Sequence, residues 1–360
     1  MKNISLIFFV AVFALFACKK ESPVEQKIEH DTTPYVLNFG AFPPPPIAAD
    51  NMLTKQKVQL GRMLFYEKRL SGDNSISCAS CHRQEHAFTD TARFSLGVLG
   101  FEGKRQAMSA FNMAWNINEF FWDGRAHLLR DQSLLPIQDS LEMHETLPNM
   151  VQKLKADKQY TDQFIRAFGT DEITAERVSL ALEQFMNSIV SVNSKYDRFL
   201  AGTATLTPAE ERGRKLFFTE YNQFFPDSSG ADCAHCHAGF NFSNNQYMNN
   251  GLDAPAFQND IGREKATGNP MDRAKFKVVS LRNIAVTAPY MHDGRFNTLE
   301  EVIAHYNNGI KASPTLDLAL EQTRATGLML TPQDIADLKA FLLTLTDDDL
   351  LTNSEYSSPF

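Results

Sequence analysis

Cysteine is scarce in this chain. Its 360 residues carry five, two close pairs and one near the N-terminus, so no thiols remain for a disulfide framework. Basic residues are not in excess either: a net charge of −8, with no basic patch, argues against nucleic acid as a partner. Beyond residue 17 no apolar run is long enough to cross a bilayer. Alternating patterns that would mark strands are few. What is left is a chain long enough for two domains, with mostly helical signals.

The paired cysteines belong to one device used twice: Cys78-Ala79-Ser80-Cys81-His82 and Cys233-Ala234-His235-Cys236-His237. A C-x-x-C-H run attaches a c-type haem. Its two thiols form thioethers with the porphyrin, and the adjacent His becomes the proximal iron ligand. A zinc half-site could explain one copy; two copies point to two covalent haems. The 28 Phe residues suit large apolar cofactors, or simply a Phe-rich core.

The N-terminus reads as an export signal. Lys2 precedes an apolar run from Ile4 to Ala17 that is too short for a permanent span. Leu15-Phe16-Ala17-Cys18 resembles a lipoprotein processing site. Loss of residues 1–17 and lipidation of Cys18 would hold the chain on a membrane, facing the periplasm, with plain cleavage as the alternative. Residues 18–50 are polar and then Pro-rich, through Phe42-Pro43-Pro44-Pro45-Pro46, and read as a semi-rigid tether.

From about residue 51 the chain repeats itself. Gly61-Arg62-Met63-Leu64-Phe65 and Gly213-Arg214-Lys215-Leu216-Phe217 precede the two haem motifs. Ser109-Ala110-Phe111-Asn112 is echoed by Ser280-Leu281-Arg282-Asn283, and Trp122-Asp123-Gly124-Arg125 by His292-Asp293-Gly294-Arg295. Capping boxes at Thr207–Glu210 and Thr298–Glu301 open helices, the second stopping near Asn307-Asn308-Gly309. Thr331-Pro332 opens a last one, and Val178, Leu182, Phe185 and Ile189 form a helical core stripe. The expected fold is all-α: two duplicated haem domains at 51–200 and 201–350, followed by a tail at 351–360.

The chemistry depends on what faces His82 and His237 across each iron. For the second haem the candidates are Tyr306, His305, Met291, His292 and more distant Met residues. Helical phase puts Tyr306 on the apolar face of its helix and His305 nearer the polar side. Tyr306 lies fourteen residues beyond His292; fourteen beyond the equivalent Trp122 is Pro136, which cannot ligate. The first haem would then keep an open position, with His86, His127 and His144 as competitors for it. Gln132 and Glu142 fall near that opening. A peroxidase needs a group to move a proton between the two peroxide oxygens; Glu142 could do so with Gln132 orienting the peroxide, although both also read as solvated helix residues.

Together, the two C-x-x-C-H motifs, Phe121-Trp122-Asp123-Gly124-Arg125, Leu281-Arg282-Asn283 and Pro289-Tyr290-Met291-His292-Asp293-Gly294 resemble the bacterial di-haem cytochrome c peroxidases over residues 50–350. The resemblance implies two cytochrome c-like domains, a peroxidatic first haem and an electron-accepting second one. It implies Trp122 between them, with Gln132 and Glu142 lining the peroxide pocket. Other members carry a displaceable His in the loop matching Gly97-Val98-Leu99-Gly100 and a Met in place of Tyr306. Val98 and Tyr306 instead resemble the MauG-type branch, with an open first haem and a His/Tyr second haem. The family also binds calcium between the haems; Gln106, Thr287 and Pro289 match its oxygen ligands, with Gln106 in place of an Asn.

The leading expectation is reduction of hydrogen peroxide to water with electrons from a small cytochrome c or copper protein. The alternatives are MauG-like oxidation of a partner protein and a di-haem electron carrier without chemistry of its own.

Overall fold

The computed structural model describes residues 27–360. The expected signal segment and Cys18 lie outside the described residues. Helices dominate. In the first half they are α1 (Lys55–Tyr66), the single turn α2 (Cys78–Cys81), α3 (Leu129–Gln138), α4 (Leu147–Lys155), α5 (Lys158–Phe168) and α6 (Ala175–Ser188). α7 (Lys195–Leu200), α8 (Pro208–Phe218), α9 (Glu264–Thr267), α10 (Leu299–Ala304), α11 (Leu318–Thr326), α12 (Pro332–Leu343) and α13 (Asp348–Thr352) follow. The only sheet among the described residues pairs β1 (Tyr247–Met248) with β2 (Phe276–Lys277), antiparallel. The capping boxes form as the sequence specifies: the Thr207, Thr298 and Thr331 side chains each accept an N–H three residues on, and the acid there returns the bond.

The duplication is visible atom by atom. In the first half α1 packs on α6, in the second α8 on α12, and each pair crosses at a glycine. A Cβ on Gly61 would collide with the Ala181 carbonyl, and one on Gly213 with the Asp337 carbonyl. Asn112 and Asn283 both adopt the left-handed conformation, with φ of +53° and +58°. The N–H of Asn112 donates to the Ile189 carbonyl just past α6, and that of Asn283 to the Leu345 carbonyl just past α12, both at 2.9 Å. Isolated antiparallel bridges recur as well, Phe120 with Ala126 and Tyr290 with Phe296. Each half has its own core. Leu60, Phe65, Phe88 and Phe185 lie in the first; Phe217, Phe242 and Phe341 lie in the second.

The ends of the chain depart from expectation. The described part of the tether is not a free spacer. The Asp31 N–H donates to the Arg166 carbonyl at 2.9 Å, and Tyr35 pairs with Leu53 at 3.1 Å. The Pro run, fixed in extended form, lays Phe42 between Trp115 of the first half and Phe240 of the second, at centroid distances of 5.3 and 4.6 Å. Trp115 Nε1 donates to the Pro43 carbonyl at 2.8 Å. The segment is a strap because Phe42 finds a slot at the junction of the halves, with Leu37, Phe39 and Ile47 packed against the same cluster.

Residues 351–360 are likewise no loose tail. Leu350 and Tyr356 are buried in the first core, and Tyr66 donates its hydroxyl to the Tyr356 carbonyl at 2.7 Å. The C-terminus thus crosses back onto the opposite half. Tyr196 already belongs to the second core, so that core begins a few residues before position 201.

Candidate active site

One cavity of about 1060 Å³ runs through both halves, lined by Cys78, Cys81 and His82 on one side and Cys233, Cys236 and His237 on the other. All four thiols are free of disulfides. Each histidine is held in the same way. His82 Nδ1 bonds the Phe88 carbonyl at 2.9 Å, and His237 Nδ1 bonds the Phe242 carbonyl at 3.1 Å. Donating from Nδ1 fixes the tautomer and leaves Nε2 as a free, basic ligand atom. Burial lowers the pKa of both rings and keeps them neutral. Paired thiols, a free imidazole nitrogen and a large apolar space fit a covalently attached haem in each half.

In the first half, Gln132 and Glu142 both face this cavity. Gln132 stands on α3; Glu142 follows it in the turn after that helix, where its own N–H donates to the Asp139 carbonyl at 3.0 Å. Neither side chain has a hydrogen-bond partner among the described residues. Burial pushes the Glu142 carboxyl up to about 7, with Asp139 adding to the rise and Arg125 opposing it. Pro136 also lines the cavity, whereas His86, His127 and His144 do not. His127 instead points out to Glu119 at 3.1 Å. Val98 does not line the cavity, and its N–H donates to the Glu142 carbonyl at 2.9 Å. That loop therefore braces the segment carrying the acid.

In the second half the cavity is differently furnished. After Ala304 the helix α10 widens into a π-turn over His305–Gly309, a form frequent at functional sites. Tyr306 faces the cavity, and burial pushes its phenol up to about 12. The widened turn also corrects the expectation for His305, which is buried at 6 % exposure and bonds the Asn250 carbonyl through Nε2 at 3.0 Å. Its ring is committed to that carbonyl. Asn250 Nδ2 donates to the Tyr306 hydroxyl at 3.2 Å and to Met291 Sδ at 3.4 Å.

Between the halves, Trp122 Nε1 donates to the Gln106 carbonyl at 2.8 Å, and the Gln106 N–H donates to the His292 carbonyl at 2.8 Å. The repeat-equivalent residues Trp122 and His292 are thus joined through one backbone unit. Gln106, Thr287 and Pro289 all line the cavity. Gln106 commits its amide nitrogen to Thr89 and Asp90, which leaves its Oε1 available. Among the described residues no group of three His, Cys, Asp or Glu could hold a metal, so a cation here would rest on carbonyl oxygens.

Three further residues were not singled out from the sequence. Arg105 pairs with Asp123 of its own half and Asp260 of the other, both at 2.7 Å. Lys277 lines the cavity and bonds only carbonyl oxygens, those of Asn118 and Glu119. Asn250 sits in an unremarkable Met-Asn-Asn-Gly stretch. No motif marks any of them; a buried cation on a two-residue strand is visible only once the strand is paired.

These features agree with what the chain is similar to. The family model for di-haem cytochrome c peroxidases matches residues 55–205. The chain is 34 % identical to methylamine utilization protein MauG of Methylorubrum extorquens, across 82 % of this chain and 79 % of that protein. It is 33 % identical to cytochrome c551 peroxidase of Nitrosomonas europaea, across 84 % of each. The crystal structure of a MauG-like protein associated with microbial copper homeostasis superposes with a TM-score of 0.77 at 37 % identity, covering 88 % of this chain and 97 % of that one. The chain belongs to the di-haem cytochrome c peroxidase family, as an oxidoreductase with two c-type haems and peroxide-reducing chemistry.

Proposed function

We propose that peroxide is reduced in the His82 half (residues 51–200), and that the His237 half (residues 201–350) relays electrons from a small cytochrome c or copper protein. The observation that carries this division is Glu142: a half-buried, unpartnered carboxyl facing the cavity in the half that holds His82, where Pro136 stands in place of Tyr306. The haem supplies the iron that takes up peroxide and the electrons that reduce it.

The chain supplies the rest. His82, braced at Nδ1 by the Phe88 carbonyl, would hold that iron through Nε2. The Glu142 carboxylate takes the proton from the inner peroxide oxygen and returns it to the outer one, which then leaves as water. A carboxyl titrating near neutrality suits both halves of that transfer. The Gln132 amide orients the peroxide by hydrogen bonding. Tyr306 would supply its oxygen as a ligand to the second haem, and an anionic oxygen there would stabilise oxidised iron. Trp122, fixed by its bond to Gln106, lies on the path between the halves. Gln106, Thr287 and Pro289 would hold a calcium ion; the Thr287 and Pro289 carbonyls accept no hydrogen bond among the described residues, which leaves them free for a cation. Export to the periplasm and lipidation at Cys18 complete the reading.

The test is the absorption and EPR spectrum of the resting ferric holoprotein before and after one equivalent of peroxide. The expected outcome is one high-spin and one low-spin haem, reacting with peroxide without prior reduction. Two low-spin haems, or a reaction that demands pre-reduction, would reject the open first site. MauG-like oxidation of a partner protein is the second reading, favoured by Tyr306 and by the 34 % identity to MauG. A peroxide-dependent mass change in a co-purifying protein would support it, and rapid turnover of reduced cytochrome c would count against it.

A further inference from the structure

The asymmetry between the halves extends to a second position. Phe121 and Met291 are repeat equivalents: both precede the x-Asp-Gly-Arg turn, both have positive φ (+70° and +76°), and both line the cavity. The positive φ is therefore a property of the repeated turn, and only the side chain differs. Phe121 lies against the Arg125 guanidinium at 3.5 Å and offers no donor atom. Met291 offers a thioether. At the other equivalent pair, Pro136 offers nothing and Tyr306 offers a phenol. The first half thus lacks a donor at both places, whereas the second has one at each.

Asn250 brings those two donors together. Its single Nδ2 reaches Tyr306 Oη at 3.2 Å and Met291 Sδ at 3.4 Å, and its backbone carbonyl anchors His305, the residue next to Tyr306, at 3.0 Å. One residue therefore fixes the phenol-bearing turn and gathers a thioether beside the phenol oxygen. The two atoms have opposite preferences. A hard phenolate oxygen suits oxidised iron, while a soft thioether suits reduced iron and raises its potential.

We propose that Met291 is a second sixth-ligand donor for the His237 iron, held beside Tyr306 by Asn250, which binds when the Tyr306 oxygen does not. This rests on the reading of Tyr306 as the resident ligand in the ferric protein. Met291 is otherwise a spectator, and its removal alone leaves the resting ferric spectrum unchanged.

The experiment compares the wild type, Tyr306→Phe, Met291→Leu and the double variant as holoproteins, by absorption and magnetic circular dichroism and by carbon monoxide uptake in the reduced state. In Tyr306→Phe the second haem is expected to stay six-coordinate and low-spin with thioether signatures, at a higher potential than in the wild type. That variant takes up one carbon monoxide per chain. The double variant is expected to become five-coordinate and to take up two. If Tyr306→Phe alone is already five-coordinate and matches the double variant, Met291 does not reach the iron and the proposal is overturned, with the Tyr306 reading intact. If Tyr306→Phe matches the wild type, Tyr306 is not the resident ligand and both readings fall. A normal spectrum for Met291→Leu shows that the substituted chain folds and loads haem; a loss of the ferric low-spin signal in it would make Met291 the resident ligand and overturn the second-donor role.

Discussion

The two halves of this molecule share parts of their frame down to single backbone bonds and differ in the side chains that line the cavity between them. The crossing glycines, the left-handed asparagines and the Nδ1-braced histidines are common to both. What differs is the set of side chains facing the cavity: Phe121, Pro136, Gln132 and Glu142 in one half, Met291 and Tyr306 in the other. Duplication supplies the attachment of two c-type haems, and in the proposed function a handful of substitutions facing the cavity divides their labour.

The sharpest way to test that division is Glu142→Gln. The change keeps size and polarity and removes the proton carrier, so kcat/KM for peroxide should fall by roughly 10²- to 10⁴-fold, with both haems still loaded. Proton abstraction requires the carboxylate. Because burial raises this carboxyl to about 7, kcat/KM in the wild type should rise as pH increases through about 7 and then level off. The variant should show no such limb. The same raised pKa has a sign for stability: the group favours the fold fully below its unfolded range, and that contribution is lost as pH rises through about 7. A wild-type profile flat from pH 5 to 8 would remove Glu142 from the mechanism.

A second test addresses the shared frame. Gly61→Ala and Gly213→Ala each place a methyl group against a backbone carbonyl that has no rotamer to escape into. Overpacking of this kind costs ~1–3 kcal/mol, against a helix-propensity gain of ~1 kcal/mol at most. Both variants should therefore lower the urea midpoint of the holoprotein, and by similar amounts. A large loss at one glycine and none at the other would break the equivalence of the two crossings.

Much of this arrangement is legible in the sequence because it is repeated or capped. The C-x-x-C-H motifs, the paired Gly-Arg helices and the Thr–Glu capping boxes each specify local geometry by themselves, and the structure forms all of them. The offset between Trp122 and His292 also carries information, since it lays Pro136 over Tyr306 and both prove to line the cavity. Non-local features are where reading fails. The Pro run is extended, as expected, but whether it hangs free depends on a slot between Trp115 and Phe240, whose two walls lie 125 residues apart in the chain. Tyr356 looks like part of a polar tail until the first core is seen to lack a wall there. His305 is misplaced by helical phase because α10 changes to a π-turn at that residue, and no composition signal announces the change. Asn250 becomes meaningful only beside the two donors it touches.

The smallest effect belongs to the residue on the seam. Trp122 meets Gln106 through one N–H within the first half, and Gln106 meets His292 of the second half through another, so one ordinary hydrogen bond joins the halves there and a second fastens the indole to it. Trp122→Phe keeps the aromatic body and deletes the first bond, leaving the Gln106 carbonyl without that donor; the expected cost is ~1 kcal/mol, read as a modest fall in the urea midpoint. His292 should hold its place, because it stacks on Phe276 at 3.6 Å independently of the indole. A loss as large as at the crossing glycines would mean that Trp122 is a structural wedge. A small loss accompanied by slower electron transfer between the two haems, followed by stopped-flow absorption, would place it on the path that makes two unequal halves one enzyme.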